Sequence, residues 1–403
     1  MEDLRVRAIR AFVVVTLALL AARSAGATSF TQTNLVSDIP GLAALTDPDL
    51  KNPWGVSFSA TSPLWTSNQG TSTANLFNIK GLTVTQNALE VTIPKTAAGT
   101  QGPTGQVNNN TSAFLVNGTP ASFIFASLNG TISAWNQSAG TTAQIKATTP
   151  GATYTGLAIA NTASGPFLYA ANGGQNRIDV FDGSFTNVTS TSFAGKFVDP
   201  NIPAGFVPFN VENIGGKIYI TYAPAGRPAQ TSAIEGQGFV SVFDTSGNFA
   251  QQLISGSKLA SPWGMTLAPA SFDGFAGDLL VGNFSYAVGE INAFDPTTGS
   301  FLGTLLSNPN FQGLWALTFG NGGNGGDPNI LYFTTGLNAE TDGLLAAVTA
   351  VAEPNTGFLV AVGVVLIATL RRRNFKILQL TGEIHRNRKT AGRADSLART
   401  ASV

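Results

Sequence analysis

Leu168-Tyr169-Ala170-Ala171-Asn172-Gly173-Gly174-Gln175-Asn176-Arg177-Ile178-Asp179-Val180-Phe181-Asp182 reads as two short strands joined by a tight turn. Successive strand residues point to opposite faces, so Ile178 and Val180 lie on one side and Asp179 and Phe181 on the other. Gly-rich turns such as Asn129-Gly130, Asp182-Gly183 and Ser246-Gly247-Asn248 supply the positive-φ residues that hairpins require. A sheet this small has two faces to cover, and the usual solution is to stack copies of it. Periods of 40 to 50 residues are the sequence sign of propeller blades.

The same order recurs along the rest of the chain. A small residue in an apolar strand is followed by a second strand ending in Ser, Ala or Asn, then by a third ending in Phe-Asp or its equivalent. The openings read Pro53-Trp54-Gly55-Val56, Ser112-Ala113-Phe114-Leu115, Thr155-Gly156-Leu157-Ala158, Phe209-Asn210-Val211-Glu212, Pro262-Trp263-Gly264-Met265 and Leu314-Trp315-Ala316-Leu317. Their spacings are 58, 43, 54, 54 and 52 residues. Six units therefore fill residues 28–351, and the expected fold is an all-β, six-bladed β-propeller. A seventh blade would require splitting the long unit between 55 and 112. Closing the ring requires an outside strand for the last blade, and residues 29–36 are placed to pair with residues 343–351.

Composition agrees with this class. Charged residues are 11% of the chain, against about 25% in ordinary soluble domains, and Gly is 45 of 403 residues, against a usual share of about 7%. The formal charge is zero, but it is unevenly placed. Residues 28–353 hold 9 basic and 18 acidic side chains, a net of −9 between two basic ends. Such a body repels phosphate backbones, so no nucleic-acid partner is expected. There is no Cys, and the one His, His385, lies outside the repeats. Disulfides, thiol nucleophiles and imidazole-based sites are therefore excluded from the body.

The ends read as addresses. Arg5, Arg7 and Arg10 precede the apolar run 11–22, and Ala25-Gly26-Ala27 offers small residues for cleavage after Ala27. Residues 1–27 are thus expected to be a signal peptide read by signal peptidase. Toward the C-terminus, Glu353-Pro354 precedes the apolar segment 358–370 and then Arg371-Arg372-Arg373. A helix in lipid with its basic end held at the cytoplasmic side follows from this order. Residues 352–373 resemble the PEP-CTERM sorting signal of Gram-negative bacteria, which implies transient membrane insertion of helix 358–370 and cleavage by an exosortase-type membrane protease. This chain reads Val351-Ala352-Glu353-Pro354 where that signal usually reads Val-Pro-Glu-Pro, and it continues into a basic tail, 374–403, expected to be disordered.

The unit 168–182 resembles an NHL repeat, whose pattern runs apolar-Tyr-Val-Ala-Asp, a turn with Asn, then Arg-Ile and apolar-Phe-Asp. The opening Leu35-Val36-Ser37-Asp38-Ile39-Pro40-Gly41, with Asp47-Pro48-Asp49-Leu50-Lys51-Asn52-Pro53-Trp54-Gly55, further resembles an uncharacterised family of exported bacterial NHL-like propellers that often carry PEP-CTERM tails. The resemblance implies a fold and a cell-surface or extracellular-matrix address, with no established reaction.

Ligands of propellers usually meet the channel mouth, where the loops before the innermost strands converge. Those positions carry Asn52, Trp54, Tyr154, Asn210, Glu212, Trp263 and Trp315. The three Trp could form an aromatic rim for a sugar or peptide, or they could pack between blades. Glu212, Asn210 and Asn52 with a carbonyl leave room for an oxygen-only Ca²⁺ site, although no cofactor is required. Asp182, Asp244 and Asp295 end strands and read as turn residues. No nucleophile–base pair is visible, so no catalytic residue is assigned. The expected function is a non-catalytic module binding a surface protein or extracellular polysaccharide, the alternative being a Ca²⁺-dependent lyase or hydrolase in the channel.

Overall fold

A computed structural model describes residues 29–96, 101–307 and 312–351. The six sheets run outward from the axis as follows. Blade 1 is Pro53–Ser57, Leu64–Asn68, Thr73–Lys80 and Thr83–Thr92; blade 2 is Pro103–Asn108, Phe123–Ser127, Thr131–Trp135 and Gln144–Thr148. Blade 3 has three strands, Tyr154–Thr162, Gly165–Asn172 and Arg177–Phe181. Blade 4 is Phe206–Ile214, Lys217–Pro224, Phe239–Phe243 and Phe249–Ser255; blade 5 is Pro262–Leu267, Leu279–Asn283, Glu290–Phe294 and Phe301–Ser307. Blade 6 takes Leu314–Phe319, Leu331–Gly336 and Asp342–Val351 from the end of the repeats and Ser29–Ser37 from their start. The chain is an all-β, six-bladed β-propeller. Each inner strand touches the next, and the sixth returns to the first.

The pairing expected of residues 29–36 is present, and side chains tighten it. Ser37 Oγ donates to Gly343 O at 2.7 Å, and Gly343 N donates to Asp38 Oδ1 at 2.7 Å. Lys51 Nζ holds the same carboxylate at 2.7 Å.

The second blade opens elsewhere than the sequence pattern placed it. Its inner strand is Pro103–Asn108, and Ser112-Ala113-Phe114-Leu115 leads into a small hairpin, Leu115–Val116 with Thr119–Pro120. Phe114 has φ 57 and is fully buried, packing the hairpin onto the blade. Pro-Thr-Gly-Gln-Val-Asn carries too few apolar side chains to show a strand period, whereas 112–115 looks apolar for a different reason. With Gly105 as the small residue, the openings lie 50, 51, 54, 54 and 52 residues apart. The long unit that could have been split thereby disappears.

Those small residues are sites of close approach. A Cβ at Gly105 would fall on the backbone of Gly156 and Leu157 in blade 3, and one at Gly264 on Trp315 O in blade 6. Blade 4 has Asn210 there instead, and its Nδ2 donates forward to Trp263 O of blade 5 at 2.9 Å. Outside this ring every blade interface has its own apolar core. Phe125 and Trp65 pack between blades 1 and 2, Tyr169 and Phe243 between 3 and 4, and Phe333 and Leu280 between 5 and 6. Burying one such aromatic is worth about 1.5–3 kcal/mol, so radial repetition distributes stabilisation around the ring.

The turn in 168–182 is organised by one side chain. Asn172 Oδ1 accepts from Thr153 N and Gln175 N, while its Nδ2 donates to Asp179 Oδ2 at 2.8 Å. Asp182, Asp244 and Asp295 occupy turns. Each Oδ1 accepts two backbone N–H groups of the following residues, as Asp182 does from Ser184 and Thr186.

Among the described residues no helix is long and apolar enough to cross a membrane. The signal-peptide segment 1–27, the cleavage residues Ala25 and Ala27, the sorting residues Glu353, Pro354, Arg371, Arg372 and Arg373, the helix 358–370 and the tail 374–403 all lie outside the described residues.

Candidate functional site

The residues preceding the small positions are, in ring order, Trp54, Thr104, Thr155, Phe209, Trp263 and Trp315. The large ones, with Phe284, form an apolar cluster that plugs the channel. Trp54 and Trp315 stack with centroids 3.6 Å apart, and Trp263 meets Trp315 edge-on at 5.6 Å. All three are buried, at 2%, 0% and 2% exposure, so they form no solvent-facing aromatic rim. Trp263 reaches across the axis into the space that Thr155 leaves, donating from Nε1 to Thr155 O at 2.8 Å. Trp315 Nε1 donates to Asn52 Oδ1 at 2.8 Å. Trp54 Nε1 has no partner among the described residues. A buried donor without an acceptor costs about 1–3 kcal/mol.

The plug separates two cavities. The one at the end where inner strands begin, here the N-mouth, has about 470 Å³ and is lined by Trp54, Gln69, Thr153, Arg227, Gln230 and Glu340, among others. Arg227 starts the short helix Arg227–Thr231, which Pro228 supports in its first turn. Its guanidinium lies 4.2 Å from the ring centroid of Phe284, 5.0 Å from that of Trp315 and 5.2 Å from that of Trp54. Nη2 donates to Glu340 Oε1. Burial lowers the guanidinium's pKa to about 10, leaving it cationic at neutral pH.

Glu340 comes from blade 6 on a turn in which Asn338, Ala339 and Glu340 have φ 50, 53 and 71. Three consecutive left-handed residues without glycine cost about 1 kcal/mol or more apiece. Their hold is visible: Asn338 Nδ2 donates to Asp342 Oδ2 at 2.7 Å, and Thr341 Oγ1 to Asn338 O at 2.9 Å. Asn52, facing this turn, also has positive φ, at 46. Strained backbone thus gathers where Glu340 is delivered to Arg227.

The cavity at the opposite end, the C-mouth, has about 380 Å³. Asn210, Glu212 and Trp263 line it with Gly55, Gly105 and Ala316, whose missing side chains leave the space open. Glu212 keeps part of its surface in contact with solvent but is enclosed by protein. Burial raises its pKa to about 8, opposed by a hydrogen bond from Asn210 Nδ2 at 3.3 Å.

The seven candidate residues are therefore not brought to one mouth. Asn52, Trp54 and Trp315 lie toward the N-mouth; Asn210, Glu212 and Trp263 lie toward the C-mouth. Tyr154 is at neither, because its ring packs between blades 2 and 3 and its hydroxyl donates to Asp179 Oδ2 at 2.9 Å. In strand register Asn52 and Glu212 are five residues apart, about 16 Å along the axis, so Asn52, Asn210 and Glu212 do not converge on one ion. Asn52 is also committed to Trp315 and, through Nδ2, to Gln69 Oε1 at 2.8 Å. Among the described residues no three His, Cys, Asp or Glu side chains cluster as metal ligands do. Sequence reasoning missed Arg227 and Glu340. The usable signal was Gly226-Arg227-Pro228, one of only two Arg in the repeats, inside an unusually long turn between two strands of blade 4.

No protein-family model matches the chain. It is 32% identical over 330 residues to "Uncharacterized protein R648" of Acanthamoeba polyphaga mimivirus, covering 78% of each chain. With "Uncharacterized protein L690" of the same virus it is 30% identical over 329 residues, covering 78% of this chain and 84% of that one. Among solved structures, the soluble aldose sugar dehydrogenase from Escherichia coli in its apo-form superposes with a TM-score of 0.50 at 11% identity, covering 80% of this chain and 99% of that one. At that identity the likeness is one of fold.

Proposed function

Since the chain belongs to one family with these two mimivirus proteins, we propose that its members are binding modules and that this one takes a neutral, hydroxyl-rich ligand, a carbohydrate, in the N-mouth. The observation that carries this reading is the Arg227–Glu340 pair over the aromatic plug. The pair is neutral overall, yet it offers both kinds of hydrogen-bonding group. Arg227 has five N–H donors, of which Glu340 takes one and Gln230 Oε1 a long contact at 3.5 Å. Glu340 Oε2 has no hydrogen bond to a described residue, and Gln69 and Gln230 line the same cavity. Paired donors and acceptors suit hydroxyl groups, which give and accept together, and the −9 charge of the body disfavours a polyanion.

The direct test is a glycan array with the purified protein, repeated with Arg227→Gln and Glu340→Gln. Neutral glycans are expected to bind, with at least tenfold weaker binding in both variants. Binding confined to anionic glycans, or unchanged in both variants, refutes the reading.

The same proposal places the module outside the cell. Arg5, Arg7 and Arg10 before an apolar run support a cleaved signal peptide, and Glu353-Pro354, the segment 358–370 and Arg371–Arg373 support exosortase-type sorting to a surface or matrix. Mass spectrometry of the mature protein tests both. A start at Thr28 and an end near Pro354 are expected, and recovery of Val403 in the mature protein rejects the sorting step.

A further inference from the structure

We propose that the N-mouth takes the end of a glycan chain and excludes stretches within it; this rests on the carbohydrate reading above and adds which part of the molecule is bound. The cavity is a walled pit. Blades 1, 2, 3, 4 and 6 supply its wall through Gln69, Leu128, Thr153, Val207 and Glu340, among others. The helix Arg227–Thr231 carries the wall across to blade 5, to whose turn it is fastened: Tyr286 N donates to Thr231 O at 2.9 Å, and Ser285 Oγ to Ala233 O at 2.5 Å. Among the described residues no sector of the ring is left as a cleft for a chain to run through. The plug closes the pit from below, since Trp54, Trp315 and Phe284 are at most 2% exposed and the two indoles stack at 3.6 Å.

The polar pair lies at the bottom. The Arg227 guanidinium sits against the plug, 4.2 Å from the ring centroid of Phe284 and 5.0 Å from that of Trp315, and Glu340 meets it there. Thr155 and Thr153 both line the cavity, and their separation of two residues gives the wall of blade 3 a depth of about 7 Å. Gly173 and Gly174 put no side chain into that wall, which keeps the pit open. A sugar must therefore descend to reach Arg227 and Glu340. An internal unit is joined to neighbours on both sides and needs two exits, whereas a terminal unit needs one. At about 470 Å³ the cavity is at the small end of the roughly 300–1,000 Å³ of small-molecule sites, so it holds about two sugar units and leaves the rest of the chain in solvent.

Titration calorimetry of the whole protein tests this with linear gluco-, galacto-, manno-, xylo- and chito-oligosaccharides of one to six units. Each is used with both ends free, with a benzyl block on the non-reducing end, with an aminobenzamide tag on the reducing end, and with both. In the series that binds, affinity is expected to stay within threefold from three units to six, and the doubly blocked chains to bind at least tenfold more weakly. The single block that causes the loss identifies the end that enters. Affinity that climbs with every added unit, or doubly blocked chains that bind as well as free ones, overturns the inference and leaves the carbohydrate reading standing. Absence of binding by every series, and by every glycan of the array, overturns both. These measurements use the unaltered protein. Thr153→Phe, which narrows the pit above the pair without touching it, is expected to lose at least tenfold in affinity for the free chain end at an unchanged melting temperature; unaltered affinity in this variant also overturns the inference.

Discussion

Arg227 of blade 4 donates to Glu340 of blade 6, so that one ion pair closes over the aromatic plug from two non-adjacent blades. The two residues lie 113 positions apart in sequence. Their side chains are 34% and 18% exposed, so solvent moderates the interaction without removing it. In a double-mutant cycle with Arg227→Met and Glu340→Gln, followed by thermal denaturation, a coupling of about 1 kcal/mol or more is expected. Additive single effects would show that the pair contributes nothing to stability.

Two indoles of the plug differ in a testable way. Trp315→Phe orphans Asn52 Oδ1 and is expected to destabilise by about 1–2 kcal/mol. Trp54→Phe removes a donor that has no protein partner, and the expected change is below about 1 kcal/mol. Urea denaturation of both variants checks the order, and a larger loss for Trp54→Phe contradicts it.

Substitution of the axial glycines tests the close approach of the inner strands. Gly105→Ala drives a methyl into the blade 3 backbone and is expected to cost about 1–3 kcal/mol or more. Gly81→Ala, at an open turn with φ 60, meets no atom and is expected to cost about 1 kcal/mol from backbone strain alone. Equal melting temperatures for the two variants would refute the steric account.

Ring closure depends on Asp38, whose carboxylate is 2% exposed and holds both Gly343 N and Lys51. Asp38→Ala leaves that N–H unpaired in the last blade, and a loss of about 2–3 kcal/mol is expected. Asp38→Asn, which keeps an acceptor, is expected to recover part of it. The comparison is read by calorimetric melting.

Glu212 gives stability a pH dependence of known sign. Its folded pKa, about 8, lies above the ordinary 4.5, so between these values the folded state holds the proton that the unfolded chain has released. Stability from this group therefore falls as pH rises through that window, by up to about 1.4 kcal/mol per unit, and levels above 8. The Glu212→Gln variant is expected to lose this slope between pH 5 and 8. An unchanged profile would show that the carboxyl is not enclosed as described.

The repeats were legible because hydrophobic alternation and turn residues are local signals, and five of the six inner strands carry them. The inner strand of blade 2 was not, because Pro103–Asn108 is polar and gains its burial only from the strands on either side. The site was legible in the same limited way. The Trp before Gly or Ala marks the axis, but sequence does not tell whether an axial indole faces water or another indole, and Trp54 and Trp315 chose each other. Nor could it sort Asn52 from Glu212, since which end of a strand meets which mouth depends on where each strand begins.

By itself, then, the sequence determined a closed ring of six sheets, the strand that completes it and the Asx turns between strands, because these follow from contacts within a few dozen residues or from the need to satisfy the last edge. Only the tertiary structure decided that the channel is plugged, that Arg227 and Glu340 meet at one mouth and that Glu212 stands uncompensated at the other. Those depend on side chains from blades far apart in sequence converging on one axis, where space and charge are shared among all six.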